Sequence, residues 1–453
     1  MGPTSGVAAR LRRHRLDRRM TQEALAELAG ISVRTVAAIE RGRGRSPRPY
    51  TVDRLATALR LTGVERDDFV RTGRESFWAS RQGRRAPDAW APYQLPPDHP
   101  DFVGRSDALH WLRRRLVPRT GPARPVVVSG PAGMGKSALA VHAATLLAEG
   151  FPDGQLFVAL RGTADRPTDP AEALGSVLRA LGVDGSAVPA GMEERAALFR
   201  ARLSGRRVLI LLDDADNHGQ VEPLLGPGAA AVLVTSRLPL TGLAGAVSLD
   251  LGPMSHPEAI ELLCRVAGAD RVRAQPEAAS ALVTACGGLP LAVRIAGARL
   301  AARPQWTVET MTGRLADERR RLDELRHGDL AVRTTLESTH RRLGPDAARA
   351  FALLGGLRVS SFPEWTVVAL LDSSARVAEA ALDELLDARL VEGWGTDEVG
   401  QRQYRFHEVA RLYAQERRET DLGESEWLAA LGRVASGWPA LARRDRREPT
   451  AVT

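Results

Sequence analysis

Several residue types that would define a class of protein are scarce or missing from the chain. It has only two cysteines, Cys264 and Cys286, which are too few for a disulfide framework and cannot form a zinc site by themselves, so a reduced cytoplasmic setting is expected. No apolar run is long enough to cross a bilayer, and no apolar stretch follows the basic N-terminal segment. A membrane-bound or secreted protein is therefore not expected.

Lysine is almost absent, because 62 of the 63 basic residues are arginine and the single lysine is Lys136. Residues 1–90 carry 19 Arg against 10 Asp and Glu, whereas the other 363 residues carry 44 basic against 45 acidic side chains. The net charge of +8 therefore originates in the first fifth of the chain. Positive charge confined in this way favours a polyanionic partner for that segment.

The length and composition indicate a folded protein of several domains. A chain of 453 residues is too long for one compact core, so two to four domains are expected. Apolar residues make up 44% and charged residues 26% of the chain, which argues against a wholly disordered or fibrous protein. No repeat with a period of 30–45 residues is visible, so a solenoid is not expected.

A string of short helices is predicted over residues 7–74, and Leu11 and Leu16 lie in the first of them. Thr21 and Ser32 are suited to cap helices over residues 21–29 and 32–41, Gly30 separates these two helices, and another helix is predicted over residues 51–59. Two capped helices joined by a glycine turn are typical of a helix-turn-helix. Their apolar residues are expected to form a small core: Leu25, Leu28, Ile31, Val36, Ile39, Leu55 and Leu59.

The second helix of this pair is expected to enter the major groove of double-stranded DNA. Ser32, Val33, Arg34 and Thr35 lie at its N-terminal end, from which side chains reach base edges. Gln22, at the start of the preceding helix, is expected to hold a phosphate. The arginines expected to supply further phosphate contacts are Arg41, Arg43, Arg45 and Arg48. The alternative is a helical adaptor whose arginines are merely solvated.

Residues 7–72 resemble the phage-repressor-like (XRE) helix-turn-helix family. The resemblance rests on T21-Q22-E23-x-L25-A26, on G30-I31-S32 and on the ending I39-E40-R41-G42. It implies a DNA partner, and two copies of the module for useful affinity, because one small domain neutralises few phosphates.

The chain changes character at about residue 125, where β-branched runs begin to alternate with helical segments. The runs are PVVVSG, GQLFVAL, RRVLILLDD and AAVLVTSR. This alternation predicts a parallel α/β sheet. After residue 251 the strand signals fade, and the chain is predicted to be mostly helical to about residue 417.

A phosphate-binding loop follows the first of these strands. Gly130, Gly135, Lys136 and Ser137 form the pattern GxxxxGKS between a strand and a helix. The glycines let backbone N–H groups surround phosphate oxygens, the lysine reaches the β- and γ-phosphates, and the serine hydroxyl binds Mg²⁺. We expect a site for ATP or ADP with Mg²⁺, in which Gly133 and Ala138 also bind the nucleotide.

Polar residues at the ends of two later strands are candidates for the reaction. Asp213 ends an apolar strand and is expected to join the Mg²⁺ shell, while Asp214 is expected to polarise the attacking water. Lys136 completes the predicted catalytic set. Arg237 follows a further buried strand, where it is expected to touch the γ-phosphate. The alternative interpretation of the two carboxylates is a strand that ends in a turn-forming Asp pair.

The order of these motifs resembles the NB-ARC module of the STAND class of signal-transduction ATPases, found in plant resistance proteins and apoptotic activators. It is similar to bacterial regulators of the actinomycete antibiotic-regulatory type. Five further segments over about residues 99–416 carry the resemblance: Phe102–Arg105, Phe151–Gly162, Thr235–Arg237, Gly288–Ala292 and Phe406–Glu408.

The resemblance implies roles for residues outside the phosphate loop. Val103 and Arg105 are expected to border the adenine, Pro290 of the GLPLA motif to pack near the base, and His407 to reach the β-phosphate of ADP. The sequence has Phe406-His407-Glu408 where the family has Met-His-Asp, and the longer Glu408 carboxylate affects the strength of the ADP-bound lock.

The implied architecture is multidomain: an all-α helix-turn-helix domain, a P-loop α/β parallel-sheet NTPase domain, a helical domain and a winged-helix domain. The helix-turn-helix domain is predicted over residues 1–75 and a linker over 76–98. The NTPase domain is predicted over 99–250, the helical domain over 251–325 and the winged-helix domain over 326–416. A short helical or flexible tail is predicted over 417–453. By resemblance, ADP holds a closed form, ATP favours a self-associating form that binds DNA, and slow hydrolysis resets the switch. Either a separate sensor protein detects the stimulus, or the chain is a shortened member of the family, and the sequence favours neither.

Two other functions remain open from the sequence. One is an oligomerising signalling or defence ATPase whose N-terminal helices bind a protein partner. The other is a P-loop motor or kinase, which the resemblance and the lack of any visible acceptor-substrate motif disfavour.

Overall fold

The computed structural model describes residues 7–41, 47, 49–62, 65–73, 91–117, 123–398 and 400–444. The chain divides into two units, Met1–Trp90 and Ala91–Thr453. None of the described helices combines the length and the apolar character that a bilayer crossing requires.

The first unit is helical, as the sequence predicts. Its helices are α1 (Val7–Asp17), α2 (Gln22–Ala29), α3 (Val33–Glu40), α4 (Pro49–Ala58) and α5 over residues 65–73. The Thr21 hydroxyl accepts the Ala24 N–H ahead of α2, and the Ser32 hydroxyl accepts the Thr35 N–H ahead of α3. Gly30 ends α2 with φ +57°, a conformation that favours glycine. Both predicted caps are therefore present.

One predicted core position in this unit is wrong. Leu28 is 65% exposed, whereas the buried face of α2 is formed by Leu25, Ala26 and Ala29. Successive side chains of a helix are rotated by roughly 100° around its axis, so Leu28 points roughly 100° away from the middle of that face. The other predicted positions are buried or packed against the core: Leu25, Ile31, Val36, Ile39, Leu55 and Leu59.

The second unit contains the predicted parallel sheet. Its strands are β1 (Val126–Ser129), β2 (Gln155–Ala159), β3 (Leu209–Ala215), β4 (Ala231–Ser236) and β5 (Val247–Asp250), in the order β2-β3-β4-β1-β5. All neighbouring pairs are parallel. The first four strands coincide with the predicted runs. The sequence pattern missed β5, because a strand of four residues with alternating burial has too few apolar side chains to be recognised.

The sheet separates two apolar layers. Val126 and Val128 contribute to one buried cluster, and Val127 contributes to the other. This alternation follows from the two-residue period of a strand. The surrounding helices are α6 (Ser106–Leu116), α7 (Lys136–Leu147), α8 (Pro170–Ala180), α9 (Met192–Leu203) and α10 (His218–Val221).

The strand order brings the polar strand ends together. Leu209–Leu212 of β3 pair with Ala231–Val234 of β4, and Val126–Val128 of β1 pair with Leu233–Thr235 of β4. The carboxyl ends of β1, β3 and β4 consequently lie at one edge of the sheet. Ligands of open α/β sheets bind at this edge.

A helical region follows the sheet, as predicted for residues 251–325. Its helices are α11 (His256–Ala267), α12 (Ala269–Arg273), α13 (Pro276–Ala285), α14 (Pro290–Ala301), α15 (Val308–Ala316) and α16 (Glu318–Glu324). A capping box between Ser255 and Glu258 begins α11.

The C-terminal region combines helices with short antiparallel strands. The hairpin β6 (Arg326–His327) and β7 (Leu330–Ala331) precedes α17 (Val332–His340), α18 (Pro345–Gly355), β8 (Phe362–Pro363), α19 (Glu364–Leu371) and α20 (Ala375–Asp387). Then come β9 (Val391–Thr396), β10 (Arg402–Phe406), α21 (Glu408–Asp421) and α22 (Glu424–Arg444). The last three strands form an antiparallel sheet in the order β8-β10-β9.

The predicted boundary at residue 416 falls inside α21, and the segment predicted as a short helical or flexible tail contains the end of α21 and the helix α22. Trp427 of α22 packs on Gly356, and Arg433 donates to the carbonyls of Ala369 and Leu370 at 2.7 Å each. One continuous apolar cluster extends from the sheet through the helical region to α22. The sheet, the helical region and the C-terminal region of the second unit therefore share one core.

Candidate functional site

The loop between β1 and α7 has the backbone that a phosphate cradle needs. Gly130, Gly133 and Gly135 have φ values of +148°, +81° and +82°. A Cβ at Gly130 would lie 2.5 Å from the Leu251 carbonyl oxygen, so no larger residue fits there. Within the described chain, the N–H groups of Gly133 and Gly135 donate to no protein acceptor. They are free to bind an anion.

Lys136 begins α7 and bends back over the loop. Its Nζ donates to the carbonyls of Gly130 and Pro131, both at 2.8 Å. Burial lowers the pKa of Lys136 to about 8, and the positive charge of Arg237 acts in the same direction. Ser137, the next residue, is exposed, and its hydroxyl has no protein partner among the described residues. Ala138 follows it in the first turn of α7.

The two carboxylates at the end of β3 have different surroundings. The Thr235 hydroxyl donates to Asp213 Oδ1 at 2.6 Å, and Asp213 therefore faces β4. Asp214 has a φ of +58°, and its Oδ2 accepts both the N–H and the hydroxyl of Thr163, at 3.1 Å and 2.7 Å. Among the described residues, no cluster of three or more His, Cys, Asp or Glu is able to hold a metal by itself.

Arg237, just after β4, reaches the C-terminal region. Its guanidinium donates to the hydroxyls of Ser338, at 3.0 Å, and Thr339, both on α17. Burial lowers the pKa of Arg237, whereas the charge of Asp214 acts in the opposite direction. The residue predicted to touch the γ-phosphate is thus engaged by two hydroxyls of another part of the chain.

The GLPLA segment lies directly on the phosphate loop. The Leu291 N–H donates to the Gly133 carbonyl at 3.3 Å. Pro290 is close enough to Gly135 that a Cβ there would be 4.0 Å from the proline ring. The structure therefore brings the predicted Pro290 to the loop that holds the predicted phosphate ligands.

His407 lies next to the same segment. A Cβ at Gly287 would be 3.2 Å from His407 Cε1, so the imidazole rests against that glycine. Burial lowers the pKa of His407, although Glu392 and a backbone hydrogen bond with Gly287 oppose this shift. The ring is consequently neutral near pH 7.

Glu408, which replaces the aspartate of the resembling family, begins α21. Its carboxylate accepts from Arg321 at 3.0 Å and from Arg411 at 3.3 Å. The side chain thereby connects α21 with α16.

Val103 and Arg105 lie in the segment ahead of α6. Val103 is buried. The Arg105 N–H donates to Glu258 at 2.6 Å, and its guanidinium donates to the Pro253 carbonyl at 3.2 Å. One guanidinium nitrogen, Nη2, is buried and has no hydrogen-bond partner within the part of the chain that the structure describes. Such a group is suited to a ligand acceptor.

Sequence reasoning missed four residues at this edge of the sheet. Thr163 binds Asp214, Ser338 and Thr339 bind Arg237, and Arg342 pairs with Asp216. Hydroxyl groups and a lone arginine belong to no spaced motif, and their partners are distant in the sequence. No signal in the sequence identified them.

The N-terminal unit holds the predicted DNA-binding residues on α2 and α3. Gln22 donates to Glu40 at 2.7 Å, and Glu40 forms a bidentate pair with Arg15 at 2.6 Å and 2.9 Å. Burial opposes ionisation of Glu40, but the hydrogen bonds from Arg15 and Gln22 lower its pKa. The amide that was predicted to hold a phosphate therefore has a partner inside the unit.

The predicted base-reading residues stand at the start of α3. Ser32 and Thr35 hydroxyls bind each other at 2.8 Å. Val33 and Arg34 are exposed, and Arg34 has no protein partner among the described residues. Arg41 is exposed as well, with its Nε on the Ala37 carbonyl at 3.0 Å. The remaining predicted phosphate contacts lie outside the described residues: Arg43, Arg45 and Arg48.

Comparison with known proteins agrees with a helix-turn-helix domain in the first unit and a P-loop domain in the second. A helix-turn-helix domain model matches residues 7–69, and an AAA domain model matches residues 119–227. The regulatory protein AfsR of Streptomyces griseus is 48% identical over 332 residues, which are 73% of this chain and 34% of that protein. AfsR of Streptomyces coelicolor is 45% identical over 362 residues, which are 78% of this chain and 36% of that protein.

The chain thus spans about a third of the length of these curated relatives. Among solved structures, a STAND protein with a tetratricopeptide repeat sensor from Pyrococcus horikoshii aligns with 18% identity and a TM-score of 0.34, over 77% of this chain and 47% of that one. The chain carries a helix-turn-helix domain followed by an AAA-type P-loop domain, and the predicted resemblance to actinomycete antibiotic-regulatory proteins is confirmed by its homology to the Streptomyces AfsR regulatory proteins.

Proposed function

We propose that the chain is a DNA-binding transcriptional regulator whose second unit is switched by ATP and ADP. The observation that carries this proposal is the phosphate loop, where the N–H groups of Gly133 and Gly135 and the Ser137 hydroxyl are free within the described chain. An unpaired set of donors around a lysine suits a di- or triphosphate. A slow hydrolysis of ATP would reset the switch.

The residues of the loop fit a nucleotide with Mg²⁺. Lys136 would exchange its two carbonyl partners for phosphate oxygens, and Ser137 would supply a hydroxyl ligand to Mg²⁺. Asp213 would take part in the metal shell through the oxygen that Thr235 does not use. Mg²⁺ commonly binds through few protein ligands together with phosphate oxygens and waters, so one hydroxyl and one carboxylate are sufficient for this role. Bound Mg²⁺ would neutralise charge on the phosphates.

The closed form is supported by contacts that converge on the loop from the later regions. Leu291 donates to Gly133, and His407 rests on Gly287, three residues before Pro290. A neutral imidazole is able to donate one hydrogen bond to a β-phosphate oxygen. The helices and the three-stranded antiparallel sheet of residues 326–421 support a winged-helix assignment for the region that contributes His407.

The open form would follow from competition for Arg237. In the present structure the guanidinium binds Ser338 and Thr339, and a γ-phosphate would offer it a charged acceptor instead. The ligand shifts the equilibrium only by its differential affinity for the two forms, typically about 1–3 kcal/mol. Self-association of open chains would bring several helix-turn-helix modules to one DNA, and effective concentration would raise the affinity.

DNA binding is supported by the exposed start of α3 and by the excess of arginine in residues 1–90. Val33 and Arg34 are available for base edges, and Arg41 is available for a phosphate. The side-chain amide of Gln22 is hydrogen-bonded to Glu40. The backbone N–H of Gln22, at the start of α2, would therefore bind the phosphate instead.

The test is capture of genomic fragments by the purified chain loaded with ADP, ATP or a non-hydrolysable ATP analogue. We expect salt-sensitive capture that is strongest with the ATP analogue, and a co-purified adenine nucleotide in the untreated protein. The triple change Arg34→Ala, Arg41→Ala and Arg43→Ala is expected to abolish capture. A matched control changes Arg200, Arg202 and Arg206, which lie in or near α9 of the second unit.

Equal capture with all three nucleotides would contradict the switch. Capture that survives the triple change would contradict the proposed DNA contacts of the helix-turn-helix domain and favour a signalling ATPase whose N-terminal helices bind a protein. Rapid steady-state hydrolysis would favour a P-loop motor.

A further inference from the structure

Arg342 connects the C-terminal region to the loops beside the two carboxylates. It lies between α17 and α18, and its guanidinium donates to Asp216 Oδ1 and to the Gly162 carbonyl. Asp216 follows β3, and Gly162 follows β2. These loops lie at the carboxyl edge of the sheet, where the predicted reaction site is.

The Gly162 loop in turn controls the position of Asp214. The Gly162 N–H donates to the Asp214 carbonyl at 2.6 Å, and Thr163 gives Asp214 Oδ2 both its N–H and its hydroxyl. Asp214 also has a left-handed backbone, with φ +58°. The Asp214 N–H also donates to the Thr235 hydroxyl at 2.9 Å, so four hydrogen bonds hold this residue in one orientation in spite of its strained φ.

The loops are further joined to each other through Gln220. Its side-chain carbonyl accepts the Asp216 N–H at 3.0 Å, and its amide donates to the carbonyls of Leu160 and Thr168 at 2.8 Å and 2.9 Å. Gln220 is buried, so these hydrogen bonds are shielded from water and join the two loops. A contact from Arg342 to either loop consequently restrains both.

We infer that Arg342 is a positioning residue that keeps Asp214 bound to Thr163, so that ATP hydrolysis is restrained while the C-terminal region is docked. The inference rests on the proposed ATP-binding function. In the restrained hydrolysis, the water oxygen bonds to the γ-phosphorus, and the bond to the β–γ bridging oxygen breaks with its electron pair left on ADP. One water proton passes through the Asp214 carboxylate to solvent, and the other stays on the phosphate product.

The restraint has a simple chemical cause. Two hydrogen bonds from Thr163 occupy Asp214 Oδ2 and fix the direction of the carboxylate, so this oxygen is not available to accept the proton of water. Undocking of α17 removes Arg342 from Gly162 and Asp216, and the loop is then free to release Asp214. Arg237 leaves Ser338 and Thr339 in the same movement, so that γ-phosphate sensing and hydrolysis become available together.

The experiment compares Arg342→Ala with Arg341→Ala in the full chain. Arg341 is the matched control, because it is adjacent and pairs at 2.6 Å with Glu337 on its own helix. Two quantities are measured: amide hydrogen exchange of residues 160–168 without added nucleotide, and the single-turnover rate of ATP hydrolysis. We expect Arg342→Ala to raise both about fivefold, which corresponds to a coupling of about 1 kcal/mol. Arg341→Ala is expected to change neither.

Thr163→Val supplies a second variant that leaves Arg342 in place. It removes the hydroxyl donor to Asp214 and is expected to raise hydrolysis without raising exchange across the whole loop. Adding Asp214→Asn to Arg342→Ala is expected to abolish the gain in hydrolysis and to preserve the gain in exchange.

The outcomes separate this inference from the proposed function. If the wild-type chain binds and hydrolyses ATP but Arg342→Ala and Thr163→Val leave its rate unchanged or lower it, the positioning role is wrong and the switch stands. If the wild-type chain binds neither ATP nor ADP, the proposed function is wrong, and the inference is overturned with it.

Discussion

The two sides of the candidate nucleotide site differ in what their functional groups contact. On the phosphate-loop side, the N–H groups of Gly133 and Gly135 and the Ser137 hydroxyl have no protein partner within the described chain. On the side formed by β3 and β4, Asp214 is bound by Thr163, and Arg237 by Ser338 and Thr339. We call the phosphate-loop side the ready side, because its groups are free to bind a ligand. We call the side formed by β3 and β4 the engaged side, because its groups already bind other parts of the protein.

Because of this difference, a nucleotide is able to bind the phosphate loop without disturbing the contacts of Arg237. A ligand that occupies only the phosphate loop displaces little besides the two carbonyls on Lys136. A ligand that also engages Arg237 competes with hydroxyls of α17, more than a hundred residues away in the sequence. Under the proposed function, the cost of that competition would fall on ATP and not on ADP, which is the property that a nucleotide switch requires.

The largest effect is expected on the ready side, from Lys136→Ala. We expect ADP and ATP affinity to fall about 100-fold or more, because charge-assisted hydrogen bonds contribute about 1.5–3 kcal/mol each and Lys136 would make two. Isothermal titration with each nucleotide measures the loss. The melting temperature should not decrease, since the substitution removes a buried charge; unchanged affinity would place the phosphates elsewhere.

Arg237→Ala is expected to act on the engaged side alone. ATP affinity should fall about ten- to hundredfold through loss of one charge-assisted contact, while ADP affinity stays within about twofold. Parallel titrations of ATP and ADP measure the ratio, with exposed Arg200→Ala as the control. A similar loss for both nucleotides would show that the two sides do not act separately.

The pH dependence of ADP binding tests the ready side without a mutation. Lys136 has a pKa of about 8 in the free protein, because burial disfavours its charged form. A bound diphosphate favours that form and raises the pKa, so affinity is highest below pH 8 and decreases above it. Between pH 7 and pH 9 the protonated fraction falls about tenfold, and affinity should fall by the same factor.

Titrations in buffers of different ionisation enthalpy should also detect proton uptake near pH 8. The control is Lys136→Arg, which keeps its charge over this range and should bind with little pH dependence. A flat profile for the wild-type chain would contradict a direct role of Lys136.

The smallest effect is expected from Ser338→Ala with Thr339→Val, and its sign is opposite. Removing two competitors of the γ-phosphate should raise ATP affinity about three- to fivefold, or about 1 kcal/mol in total, because water replaces both hydroxyls as partners of Arg237 and returns most of each hydrogen bond. ADP affinity should not increase. Competition titrations measure the change, and a decrease in ATP affinity would mean that these hydroxyls assist ATP and do not oppose it.

Much of the ready side was predictable from the sequence, because it is built from neighbouring residues. The pattern from Gly130 to Ser137 specifies a strand, a glycine turn and a helix start within one short segment, and the structure has all three. The caps at Thr21 and Ser32 were predictable for the same reason. Leu28 was not, since the phase of a short helix against its neighbours depends on tertiary packing.

The engaged side was only partly predictable. Asp213, Asp214 and Arg237 end buried strands, and parallel strand ends meet at one edge of a sheet. Their partners Thr163, Ser338 and Arg342 have no such signature. Each is a common residue type at no recurring spacing, so only the folded chain identifies it.

The amino-acid sequence by itself determined the helix-turn-helix and the phosphate loop, whose hydrogen bonds close locally. It also determined four buried strands through their apolar runs, although their pairing partners are distant in the sequence. The tertiary structure alone decided which groups of the site are free and which are held. Arg237 meets Ser338 across 101 residues, and Arg342 meets Gly162 across 180. Contacts over such separations depend on how the regions pack, because the chain between them places no local constraint on either partner.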